Sequence, residues 1–195
     1  MKRNVYIALL HHPVYDKNGR VVTTSVTNLD VHDIARLSRT YALSGYFVVT
    51  PVEAQRQMVQ ELLGHWKSDV AGRYNPTRQM AFEAVRVAAS FDEVVATVAR
   101  EDGNLPVTVG TTARAGNATV SFDKLRKRLS SESGSLVIIL GTGSGLEKNL
   151  VDRMDELLEP ISGVDGYNHL SVRSAAAIIL DRLLGVRSMD DTRDG

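Results

Sequence analysis

The sequence contains no cysteine, which excludes a disulfide framework and any thiolate metal site and suits a reducing compartment. It also lacks an apolar run of membrane-spanning length. Its N-terminal apolar stretch, Val5 to Leu10, is too short for a signal peptide and has no small-residue cleavage site behind it. A cytoplasmic location is therefore expected. Neither sign of charge dominates, since Lys plus Arg and Asp plus Glu each number 23. That excludes a global basic field, so any nucleic-acid contact must come from a local patch. His11-His12 has no third ligand at a suitable spacing, and no metal is expected. With 195 residues, 43% of them hydrophobic, the chain can bury one core. The expected organisation is one domain over residues 1–187 and a polar, frayed tail over 188–195.

What the chain does contain is an alternation of strand and helix signals. Val5 to Leu10 reads as a central strand, Asp16-Lys17-Asn18-Gly19 as a turn, and Val21-Val22 as a brief return strand. Thr27 to Asp30 offers N-caps for a helix through Ile34, Leu37 and Tyr41 that Gly45 ends. Tyr46 to Val49 is the next strand, and Val52 to Leu63 the next helix. Residues 64–76 are the least periodic, and from Thr77 through Val85 to Ala89 the pattern is helical or mixed. Asp92-Glu93 open a helix closing near Gly103, Pro106 to Gly110 is a strand, and Phe122 to Leu129 is helical. Leu136 to Leu140 is a buried strand, and Val172 to Leu184 a long amphipathic helix. This order predicts an α/β fold with a mainly parallel sheet and ligands at the strands' C-terminal ends.

The richest segment is Gly141-Thr142-Gly143-Ser144-Gly145, directly after the Leu136 to Leu140 strand. Alternating glycines let a ligand approach the main chain and permit positive φ, although a tight turn alone would use the same residues. A phosphate loop would need Gly-Lys-Ser/Thr, and here Leu146-Glu147 follow. The dinucleotide spacing is absent as well. A neutral, adenosine-like ligand fits better. Thr111-Thr112 and Tyr167 to Ser171 are further small or polar loops late in the chain.

Asp30, His32, Asp33 and Arg36, with Arg39 a turn later, place carboxylates, an imidazole and guanidiniums along one helix. That set suits proton transfer, and it suits a helix cap with an internal ion pair equally. Trp66 with Tyr74, Asn75 and Arg78 suits stacking on an unpaired base, or a surface loop anchored by its Trp. Lys124 to Arg128 is the densest basic run and reads as a solvated helix face before it reads as an RNA track.

Together, residues 28–36, His65-Trp66, 74–78, 141–146 and 167–175 resemble the SPOUT superfamily of S-adenosylmethionine (SAM)-dependent RNA methyltransferases. The likeness is strongest to a small bacterial subfamily related to the tRNA guanine-N1 branch, and it runs from Val5 to Gly185. The resemblance implies a C-terminal deep trefoil knot and a homodimer acting on RNA, either tRNA or rRNA. It implies SAM held against Thr111-Thr112, Leu140 to Gly143 with Gly145, and Ile161 with His169-Leu170-Ser171. Catalytic roles would fall to Asp30, His32, Asp33 and Arg36, and substrate contacts to Arg39, Trp66, Tyr74, Asn75 and Arg78. Asp30, Asp33 and Gly143 depart from the ribose-methylating pattern, which favours a base nitrogen over a 2′-hydroxyl. A non-catalytic RNA-binding or assembly module that retains the SAM pocket is the alternative.

Overall fold

A computed structural model describes residues 3–114, 118–165 and 167–186. The tail predicted at 188–195 lies outside the described residues. The chain begins with β1 (Asn4–Leu10), the short antiparallel pair β2 (Val14–Tyr15) and β3 (Val21–Val22), α1 (Asn28–Thr40) and β4 (Gly45–Val49). Next come α2 (Glu53–Lys67), α3 (Asp69–Tyr74), α4 (Pro76–Phe82), β5 (Val85–Ala88), α5 (Phe91–Asp102) and β6 (Val107–Gly110). The last third holds α6 (Phe122–Ser131), β7 (Ser135–Gly141), α7 (Lys148–Val151), β8 (Glu156–Leu157) and α8 (Val172–Leu184).

Six of these strands form a parallel sheet in the order β5-β4-β1-β7-β6-β8. Strand residues alternate between two apolar layers, as the two-residue period of a pleated strand requires. Val5, Ile7 and Leu9 of β1, with Leu136, Ile138 and Leu140 of β7, face α1, α6 and α8 through Ile34, Leu125 and Leu180. Tyr6, Ala8 and Leu10, with Val137 and Ile139, face α5 and α7 through Val94, Val98 and Leu150. Burial on both faces explains why the central strands read as unbroken apolar runs.

Helix ends follow their caps. Thr27 accepts from the Asp30 amide, Ser90 from Glu93, Ser121 from Lys124 and Ser171 from Ser174. Gly103 ends α5 in the left-handed conformation. The structure departs from expectation in the middle of the chain. Val85–Ala88, read as helical or mixed, is an edge strand paired with β4. The aperiodic stretch 64–76 contains the last turn of α2 and all of α3, and Asn75 caps α4 by accepting from the Arg78 amide.

A cleft at the C-terminal ends of the central strands

β1 and β7 pair from Asn4↔Ser135 to Leu10↔Gly141. The connection from β1 leads to β4 on one side, whereas β7, β6 and β8 lie on the other. A crevice is expected at such a reversal, beyond the strands' carboxyl ends. A cleft of about 1420 Å3 opens there. Thr111 and Thr112, Leu140 to Gly143, Gly145, Ile161, and His169 to Ser171 all line it. Of the residues given catalytic roles from the sequence, Asp30 lines it; among its wall residues are also Tyr15, Thr24 and Asn168.

The walls are built from main chain tied to main chain. Segment 13–15, leaving β1, runs along the glycine loop: Ser144 N donates to Tyr15 O at 2.7 Å, Tyr15 N to Gly145 O at 2.9 Å, and Glu147 N to Pro13 O at 3.1 Å. Gly143 sits at φ +59° where an added Cβ would come 2.6 Å from Tyr15 O, so the glycine is required twice over, by conformation and by space. On the neighbouring wall, the Thr111 hydroxyl donates to Ile139 O at 2.9 Å. The Asn168 side-chain amide donates to Ala113 O, fastening the loop before α8 to the loop after β6. Tyr167 and His169 meet edge to face, ring centres 5.4 Å apart, with Tyr167 exposed beside the cleft.

The helix α1 distributes its polar residues to different neighbours, because successive residues differ by about 100° around the axis. Asp30 is 8% exposed; its Oδ2 accepts from the Thr27 hydroxyl at 2.6 Å and its Oδ1 lies 3.5 Å from Arg173 Nη1. Arg173 Nε lies 3.4 Å from Asp33 Oδ2. His32 points elsewhere, packing on Phe82 and Trp66 with ring centres 4.7 and 5.7 Å away. Burial, and after it the Arg78 charge, lowers the pKa of His32. Arg36 and Arg39 are exposed and outside the cleft wall. The predicted four-residue constellation is thus divided, with only the two carboxylates meeting a common partner.

Trp66 is half-buried, and the Arg78 guanidinium lies 4.9 Å above its ring centre. Tyr74 is 88% exposed. None of Arg39, Trp66, Tyr74, Asn75 and Arg78 lines the cleft. The basic run on α6 is partly structural: Arg126 donates to Arg182 O and Gly185 O, both at 2.7 Å, and Arg128 pairs with Glu132 and Glu156. Arg173, Thr24 and Tyr15 escaped sequence reasoning. Only Arg173 carried a signal, as a cation in the first turn of a helix, where the dipole opposes it.

Another buried group adjoins the site. His11 is fully buried directly after β1, with Nδ1 3.1 Å from the Thr24 hydroxyl and Nε2 without a hydrogen-bond partner among the described residues. Burial pushes its pKa down to about 4, against the opposing influences of Asp30 and the Ser25 backbone. Among the described residues no cluster of three His, Asp or Glu is placed to hold a metal, and no helix is long and apolar enough to cross a membrane.

The chain resembles known proteins in sequence and in fold. It is 42% identical over 190 residues to a protein of Aquifex aeolicus, spanning 97% of this chain and 93% of that one. It is 44% identical over 184 residues to a tRNA (guanine-N(1)-)-methyltransferase of Nitratidesulfovibrio vulgaris, spanning 94% of this chain but 42% of that protein. The chain thus matches less than half the length of that relative. Among solved structures, TrmJ of Z. mobilis superposes with a TM-score of 0.61 at 15% identity, over 94% of this chain and 69% of that one. The SpoU methyltransferase AviRb of Streptomyces viridochromogenes, solved with AdoMet, gives 0.56 at 17%, over 94% and 60%. These likenesses show the SPOUT methyltransferase fold. A family model described as SAM-dependent RNA methyltransferase matches residues 4–185, and the chain belongs to that family.

Proposed function

We propose that the cleft holds SAM and that the enzyme methylates a base nitrogen of tRNA or rRNA, with Asp30 as proton acceptor. The observation that carries this reading is one cleft bounded by three small-residue loops and by Asp30. The residues present fit such a ligand: a slot walled by backbone and threonines suits a neutral nucleoside, whose edge amides and carbonyls read where side chains do not intervene. When bound, SAM supplies an electrophilic methyl group on its sulfonium. The chain's own work is alignment and proton removal, and no metal is needed. Asp30 Oδ1, whose neighbour Arg173 stands at 3.5 Å, would receive the proton released from the base nitrogen. Asp33, 46% exposed in its side chain, is the alternative acceptor.

The preference for a base over a ribose hydroxyl rests on those carboxylates. The relative named for guanine N1 agrees with it, although that name belongs to a protein more than twice as long as the matched region. In the same proposal the enzyme is a homodimer. Arg36 is outside its own cleft, so it would serve a partner's, and exposed Leu29 and Tyr167 supply apolar surface for the contact. The proposal includes a trefoil knot, which the likeness to SPOUT methyltransferases implies. It also includes residence in the cytoplasm, in keeping with the lack of cysteine.

The test is calorimetry with SAM and with its demethylated product, followed by incubation with bulk cellular RNA and methyl-labelled SAM. SAM binding is expected in the natural protein, together with base-linked label that is lost in Arg36→Ala and lowered on the order of 10²-fold or more in Asp30→Asn. No binding heat would overturn the cofactor assignment. RNA and SAM binding without label would identify a non-catalytic RNA-binding module.

A further inference from the structure

α1 and α8 pack side by side and run parallel, and they are tied at both ends. At the far end the Tyr41 hydroxyl donates to Asp181 Oδ1 at 3.2 Å. At the cleft end Arg173 lies between Asp30 Oδ1, 3.5 Å from its Nη1, and Asp33 Oδ2, 3.4 Å from its Nε. Both helices present their N-termini here, so two positive dipole ends converge and a third positive group is unfavourable on that account. Arg173 is nevertheless the second residue of α8. Its position is compensated by the two carboxylates of α1.

The residues immediately before it, His169 to Ser171, line the cleft, as does Val172. Asp30 lines the same cleft from the opposite helix. Arg173 therefore connects two walls of the cleft through charged contacts. Resting on the reading that SAM fills this cleft, we propose that Arg173 is a positioning residue that makes cofactor binding and placement of the Asp30 carboxylate one event. A bound cofactor that fixes His169 to Ser171 fixes Arg173 with them. Arg173 in turn fixes the Asp30 oxygen that Thr27 does not hold.

Among the described residues the polar groups facing Asp30 are few, which makes the claim separable. Asp33 belongs to α1 and Thr27 is its N-cap, Arg173 belongs to α8, and His11 directly follows β1; the Tyr46 hydroxyl from β4 reaches the Asp30 backbone carbonyl, at 3.4 Å. Removing the guanidinium leaves Asp30 its Thr27 bond but disconnects it from α8. Lys in its place keeps the charge and loses the fork that reaches two carboxylates at once.

The experiment is a double-mutant cycle on SAM affinity, measured by calorimetry for the natural protein, Arg173→Gln, Asp30→Asn and the pair. Single-turnover methylation is followed in parallel. Asp30→Asn should weaken SAM binding about 5-fold in the natural background and less than 2-fold when Arg173 is already Gln, a coupling of about 0.5 kcal/mol or more. In Arg173→Gln the methylation rate at saturating SAM should fall at least 10-fold, with Arg173→Lys intermediate. Additive effects on SAM affinity, or an unchanged rate at saturation, would overturn the inference while leaving the cofactor assignment intact. Absence of SAM binding by the natural protein overturns both. If Arg173→Gln does not fold, as judged by circular dichroism, the same cycle with Arg173→Lys decides the matter on the same criterion.

Discussion

The hydroxyls of Thr24 and Thr142 lie 2.5 Å apart, joining the segment after β1 to the glycine loop after β7. The Thr142 hydroxyl also reaches Leu10 O at 3.1 Å, and that of Thr24 reaches His11 O at 3.4 Å and His11 Nδ1 at 3.1 Å. This cluster of hydroxyls and carbonyls holds two walls of the cleft in register. Thr142→Val keeps the shape of the side chain and removes the hydroxyl. The expected result is a loss of about 1–2 kcal/mol in denaturant-measured stability and weaker SAM binding by calorimetry. Unaltered values for both would mean that the contact is incidental.

Gly143→Ala tests the closeness of the main chains. The methyl would meet Tyr15 O and the residue would be held at φ +59°. The left-handed conformation alone costs roughly 1–2 kcal/mol, and relief of the clash must break the Ser144 to Tyr15 hydrogen bond. At Gly145, φ +107°, nothing lies within 4 Å of the added carbon, so Gly145→Ala meets conformational strain without collision. We expect Gly143→Ala to lose at least tenfold in SAM affinity and to expose the Ser144 amide to rapid hydrogen exchange. Gly145→Ala should retain slow exchange there. Slow exchange at Ser144 in both variants would refute the clamp.

These relationships separate what a sequence discloses from what it does not. Val172 to Leu184 was legible in its bounds because its apolar period and its length agree, whereas its cap is Ser171 and not the Asn168 or His169 that the sequence suggested. The main-chain cleft was legible through Gly141, Gly143 and Gly145, since each absent side chain is itself a signal. Val85–Ala88 was not, because a four-residue edge strand with Arg86 inside it offers too few residues for a period to emerge. That Arg lies over the rings of Tyr6 and Phe47, 5.8 and 5.4 Å from their centres, a contact only the sheet order creates. Likewise His32 and Asp30, two residues apart, looked like one site and face different neighbours, because helical geometry separates them and packing decides which neighbour each receives.

Acid should destabilise the protein through His11. In the unfolded chain this imidazole titrates near its ordinary 6.5, whereas burial holds it at about 4 in the fold. Between these values the unfolded state binds a proton that the folded state refuses, so this contribution is complete above pH 6.5 and is lost as pH falls towards 4. The loss across the window is roughly 3 kcal/mol. Chemical denaturation at a series of pH values should show the slope, and His11→Gln, which cannot titrate, should flatten it. An equal slope in the variant would place the acid sensitivity elsewhere.

The basic run on α6 yields a prediction that opposes intuition. Lys124 to Arg128 invites an RNA-binding assignment, yet the Arg126 guanidinium donates to Arg182 O and Gly185 O, carbonyls at the C-terminal end of α8. Such ends carry partial negative charge and lack helical donors, so a guanidinium there both caps and neutralises. Charged hydrogen bonds of this kind are worth about 1.5–3 kcal/mol each in mutational series. With solvent access and relaxation, Arg126→Ala should lower unfolding stability by about 2 kcal/mol. RNA affinity of the still-folded variant, and the dependence of that affinity on salt, should match the natural protein, because a side chain engaged with α8 neutralises no phosphate. Lys124→Ala should behave oppositely if α6 faces RNA, with stability unchanged and the salt dependence reduced. A reduced salt dependence in Arg126→Ala itself would assign that guanidinium to RNA and not to the helix end.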